Sequence, residues 1–141
     1  MLDAADVDRL DGAGGRLVIS PNVDHSVLAA AAKRHMVSMP GVFTPTEALA
    51  ALRGGASGLK FFPASVLGPD GIKAISAVLP GETVIGAVGG VDENGFAAYA
   101  RVGVRTFGLG SSLYRIGAAA ADVGTRAKAA IAGYDRVFSE I

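Results

Sequence analysis

One lysine, Lys60, stands inside the apolar run that opens the stretch GLKFFPASVLGP (58–69), between Leu59 and the pair Phe61 and Phe62. An ammonium held in such surroundings is costly, and a lysine relieves that cost by releasing its proton. The neutral amine is a nucleophile toward carbonyl groups, so Lys60 is the candidate for imine chemistry rather than a snorkelling surface lysine. Two glycine-rich turns offer a second property, anion binding: AVGGVDEN at Gly89 and Gly90, and GLGSS at Gly110 and Ser111. Backbone N–H groups in such turns, beside a helix N-terminus, bind phosphate oxygens. Either turn alone is weak, because glycine also serves wherever the backbone needs positive φ; two at consecutive strand ends weigh more. The other polar residues read more plainly. His25 falls in the first turn of a helix and His35 at a helix end before a strand, both on the surface. Arg115 reads as solvated, and Asp92, Glu93 and Asp122 read as helix N-terminal charges.

The elements that must position these residues follow from the pattern. Short apolar runs recur as RLVISP, MVSMPG, GLKFFP, TVIGAVGG and RTFGLGSS, and read as buried strands. Alanine-rich segments of helical period, such as DHSVLAAAAKRH and GIKAISAVLP, lie between them, which predicts an α/β fold with a parallel sheet covered by helices. In TPTE, Thr44 is an N-cap, Pro45 the first helical residue and Glu47 the partner in a capping box. Asp24 and Asp92 read as further N-caps, and the glycines of GAGG, RGG and RVG as helix stops. Each strand run ends in unusual residues: Pro21, Pro40–Gly41, Pro63, Gly89–Gly90 and Gly110–Ser111. In a parallel α/β barrel that edge carries the site, with phosphate often held after the last two strands.

Composition narrows the field. The 141 residues form one domain with a sizeable core, and thirteen basic against thirteen acidic residues leave no net charge. No basic run marks a nucleic-acid or anionic-membrane surface. With no cysteine and two histidines, a zinc–thiolate or multi-histidine metal site is not expected, nor is a cofactor. The acidic N-terminus lacks the form of a signal peptide and no segment reaches transmembrane length, so a cytoplasmic protein is expected.

The segments SPN, MPGVFTPTEALAALRGGASGLKFFPAS, LGPDGIKAISAVLP, AVGGVDENGFAAY and GLGSSLYR resemble the class I KDPG/KDPGal aldolases over about residues 3 to 138. The AVGGV form and the LGP spacing are most similar to the galactonate branch. The resemblance implies a (β/α)8 barrel, usually trimeric, that cleaves a phosphorylated sugar acid reversibly to pyruvate and glyceraldehyde 3-phosphate. It implies that Lys60 forms the imine, that Pro21 and Phe62 line the pocket, and that Gly89, Gly90 and Ser111 hold the phosphate, with Gly110 beside them in the GLGSS turn. Val88 stands where the gluconate branch tends to have threonine, and an apolar side chain there fits the galactonate branch.

The resemblance covers only the later part of the family barrel, which has eight strands and roughly 200 residues or more. Strands corresponding to family strands 4–8 are expected, hence a single incomplete barrel domain over 1–141. The family's first three strands, with the strand-2 glutamate that serves as general acid/base and the arginine near the substrate carboxylate, have no counterpart here. Met1–Leu2 falls where the family often reads GTVL, so the expected reading is a GTG valine codon taken as a start. The expectation is an impaired aldolase. Competing readings are a non-catalytic half-barrel that binds a phosphorylated ligand or a partner chain, a gluconate-type aldolase, and a thiamin-phosphate-synthase-like barrel that has no need of Lys60. Unpaired edges near Val18 and Phe107 are expected of an open barrel.

Overall fold

The computed structural model describes residues 1–139. Among these, helices and strands alternate: α1 (Ala4–Gly12), β1 (Leu17–Ile19), α2 (His25–Lys33), β2 (Val37–Met39), β3 (Gly41–Val42), α3 (Pro45–Arg53), β4 (Leu59–Phe61), α4 (Ala64–Ser76), β5 (Ile85–Val88), α5 (Phe96–Ala100), β6 (Thr106–Gly108) and α6 (Ala120–Phe138). Every apolar run of the sequence contains a strand. The run MVSMPG contains two, because Pro40 has no N–H for a ladder and divides β2 from β3. Its carbonyl still accepts from the Lys60 N–H at 3.0 Å.

All pairings are parallel. β1 pairs with β2, and β3, β4, β5 and β6 pair in that order. The Gly41 N–H donates to the Ser20 carbonyl at 3.0 Å, and the Ser57 and Gly58 N–H groups donate to the Ser38 carbonyl at 3.0 and 3.2 Å, which joins the two ladders into one layer. The strands thus follow sequence order without reversal. That is the winding of a barrel, not of a doubly wound sheet. Among the described residues β1 and β6 have no second strand neighbour, so the arc is open.

Alternation along the strands decides which side chains meet the helices. Leu59, Phe61, Ile85 and Ala87 are buried with Val42, Ala48, Ile72 and Phe96 in the main core. Full burial of a side chain such as Phe61 contributes about 1.5–3 kcal/mol. Val7, Val18, Val27 and Ala31 form a smaller core where α1 and α2 cover β1. The intervening residues, Lys60 and Gly86 among them, face the concave side.

The caps predicted for α2 and α3 form. Asp24 accepts from the N–H groups of Ser26 and Val27 at 2.8 and 3.1 Å, and Thr44 and Glu47 make the reciprocal capping box. Two helix starts differ from expectation. α5 begins at Phe96 rather than near Asp92, because the Asp92 carboxylate caps a preceding turn by accepting from Asn94 and Gly95. α4 begins at Ala64, directly after Pro63, and continues past a kink at Gly68, whose φ of 70° interrupts the helix before Pro69 restarts it. No helix among the described residues is long and apolar enough to cross a membrane.

Candidate active site

The concave face of the arc holds a cleft of about 380 Å³. Lys60 reaches it from β4, Leu17 and Ile19 from β1, Met39 from β2, Val88 from β5 and Thr106 from β6. Among the described residues Lys60 brings the only charge to its lining. The lysine is 6% exposed, and among the described residues no carboxylate pairs with it. Desolvation therefore acts unopposed and holds the amine below the usual lysine range. Its Nζ lies 5.1 Å from the centre of the Phe62 ring, toward the C-terminal end of β4. An amine so placed can add to a carbonyl carbon and lose water to form an imine. Among the described residues no carboxylate or imidazole lines the cleft to move protons for it.

The first glycine turn abuts the end of the lysine strand. Gly89 and Gly90 have φ of 95° and 71°, values that favour glycine. A Cβ on Gly89 would come within 3.1 Å of the Phe62 ring and of the Pro63 backbone, and its carbonyl accepts from the Ser65 N–H at 3.0 Å. A Cβ on Gly90 would lie 2.4 Å from the Ser65 hydroxyl oxygen. Ser65 is therefore a hydroxyl beside the turn that sequence reasoning passed over, since a residue five after the lysine carries no signal in a one-dimensional pattern.

The second turn stands beside the first. The Ser112 hydroxyl donates to the Val91 carbonyl at 3.0 Å and ties the loop after β6 to the loop after β5. Sequence reasoning singled out Ser111 and missed Ser112. Within this loop Leu113 and Tyr114 donate to the Gly110 carbonyl, and the Arg115 Nε–H donates back to the Ser111 carbonyl at 3.3 Å. The N–H groups of Gly89, Gly90, Gly110 and Ser111 donate to no protein acceptor among the described residues. They are free to serve an anion.

Lys60 and Val88 thus share the cleft, Phe62 stands at the amine, and the two turns adjoin at the ends of β5 and β6. Pro21 is exposed at the end of β1, where its carbonyl lies against Gly41, the β3 residue in register with Lys60; it is not part of the cleft lining. His25 and His35 are exposed, away from the cleft.

The profile of the aldolase family described as "KDPG and KHG aldolase" matches residues 1–126. The chain is 63% identical over 138 residues to a Rhizobium meliloti (strain 1021) protein named "Probable 2-dehydro-3-deoxy-6-phosphogalactonate aldolase", covering 98% of this chain and 65% of that one. It is 40% identical over 134 residues to the 2-dehydro-3-deoxy-6-phosphogalactonate aldolase of Escherichia coli (strain K12), covering 95% of this chain and 65% of that one. A solved native KDPGal structure superposes with a TM-score of 0.95 at 38% identity, covering 99% of this chain and 68% of the other. The chain spans 65% of the length of each of these two curated relatives.

Proposed function

Because the chain belongs to the KDPG and KHG aldolase family, we propose that it works as a class I, imine-forming aldolase that cleaves 2-dehydro-3-deoxy-6-phosphogalactonate to pyruvate and glyceraldehyde 3-phosphate. The observation that carries this reading is the burial of Lys60 in a cleft where, among the described residues, no carboxylate pairs with it and no other charged group lines the wall. The Lys60 amine attacks the ketone carbon of the sugar acid, and loss of water gives the imine. As the hydroxyl on the carbon beyond the breaking bond gives up its proton, that bond's electrons flow into the imine; the aldehyde leaves and an enamine remains. Protonation and hydrolysis of the enamine release pyruvate and restore the amine.

The remaining assignments belong to the same proposal. The N–H groups of Gly89, Gly90, Gly110 and Ser111 hold the phosphate, and Pro21 and Phe62 flank the substrate. Val88 lies beside the carbon chain and favours the galactonate-type epimer, in keeping with the names of the two curated relatives. The protein works in the cytoplasm as a homo-oligomer.

A second reading has an observation of its own in its favour. With no carboxylate or imidazole lining the cleft among the described residues, the chain binds the phosphorylated sugar acid without turning it over. A coupled assay of pyruvate release separates the two. Slow release that disappears in Lys60→Ala is the expected result. Binding of the sugar acid without any pyruvate, even at high protein concentration, establishes the second reading instead.

A further inference from the structure

The floor of the cleft beneath Lys60 is made by one side chain reaching across from another strand. Met39 leaves β2 on the concave side, and its Cε lies 3.3 Å from where a Cβ would stand on Gly58 and 3.3 Å from where one would stand on Gly86. Gly58 immediately precedes β4, and Gly86 is the β5 residue in register with Lys60. Met39 therefore crosses β4 just below the lysine stem. Neither glycine has a positive φ, so the backbone does not require glycine at these two positions. What they provide is room, for the thioether and also for the Val84 carbonyl at Gly58 and the Thr106 hydroxyl at Gly86.

Among the described residues no titratable group faces Lys60 from the strands around it. β1 presents Leu17 and Ile19, β3 is Gly41 and Val42, β5 presents Gly86 and Val88, and β6 presents Thr106 and Gly108. Ala64 and Ser65, where α4 begins, are uncharged as well. With no counter-charge to compete, exclusion of water decides whether the amine is protonated. On the β5 side, at the residue in register with Lys60, the Met39 methyl and the Thr106 hydroxyl share the space over Gly86, 3.3 and 2.4 Å from where a Cβ would stand.

We propose that Met39 is a positioning residue for Lys60, closing the cleft from below so that water is kept off the lysine stem and the amine is held toward Phe62. The proposal rests on the reading of Lys60 as the reacting amine, and its test can fail separately from that reading. Trace acetic anhydride labels lysines in proportion to their unprotonated fraction and needs no substrate. Peptide mass mapping across a pH series reads Lys60 against Lys33, Lys73 and Lys128 as internal references. In Met39→Ser the labelling midpoint of Lys60 moves up, and its labelling at neutral pH falls several-fold. Met39→Leu, which refills the floor, keeps the midpoint of the unsubstituted chain. Should Met39→Ser lose its circular dichroism, Met39→Ala is used, which opens the floor without burying a hydroxyl and raises the midpoint likewise. A folded floor variant that titrates Lys60 at the unchanged midpoint, or a Met39→Leu shift as large as that of Met39→Ser, overturns the proposal. Failure of the unsubstituted chain to form any pyruvate adduct, with the midpoint shift intact, tells against the aldolase reading alone.

Discussion

Gly90 and Val88 carry the assignments that single substitutions test most sharply. A side chain at Gly90 meets the Ser65 hydroxyl oxygen at 2.4 Å and must adopt a φ of 71°, so Gly90→Asp adds steric strain and a charge of the same sign as phosphate. Inorganic phosphate, followed by titration, should bind at least several-fold more weakly to Gly90→Asp, with Gly90→Ala between the two. Unchanged affinity in a folded Gly90→Asp would put the anion elsewhere. Val88 lines the same cleft as Lys60 and offers the substrate no hydroxyl. Val88→Thr supplies one, and a single hydrogen bond gained by one epimer is worth about 1 kcal/mol, or roughly fivefold in discrimination. The ratio of kcat/KM for the galactonate-type over the gluconate-type substrate should fall by about that factor; equal ratios in both proteins would remove Val88 from the account.

The elements were largely readable because their signals are local. Each apolar run holds a strand, and Thr44 with Glu47 marked the start of α3, where Glu47 accepts from the N–H groups of Phe43 and Thr44 at 2.9 Å each. The Phe43 N–H is the main influence holding the Glu47 carboxyl below its usual range, against an opposing effect of burial, with Thr44 adding to it. Such a carboxylate contributes stability that is present above its unfolded pKa and fades as pH falls through the depressed folded value. Thr44→Ala should cost about 1 kcal/mol at neutral pH, a fall of a few degrees in Tm, and the difference should narrow in acid. An equal difference at every pH would mean that the box does not hold the carboxylate. What could not be read was set by contacts distant in sequence or by competing local ones. Pro40 divides a run whose residues all look like strand, Asp92 spends its cap on a turn before α5, and a kink at Gly68 separates the first turn of α4, from Ala64, from the helical stretch after Pro69. The concave face was legible at Lys60, where a charge broke an apolar run, and at Val88 through the family resemblance; Met39 crosses to Gly58 and Gly86 from another strand, which no spacing in the sequence encodes.

At the scale of the whole molecule, the singly wound order of strands puts the C-terminal ends of β4, β5 and β6 side by side, so that one amine and two glycine turns from segments about 30 and 50 residues apart come to one edge. The same arrangement leaves the cleft without a carboxylate or imidazole among the described residues, and a positioned general acid/base is typically worth about 10²–10⁴-fold. Turnover therefore tests several things together, whereas imine formation tests the lysine itself. The most direct measurement is trapping: the chain is incubated with pyruvate, reduced with borohydride, digested and mapped by mass. The account predicts one reduced pyruvate adduct, on Lys60, absent from Lys60→Ala and from Lys60→Arg, whose guanidinium stays protonated. An adduct carried by Lys33, Lys73 or Lys128 instead, or one that persists in Lys60→Ala, would contradict it.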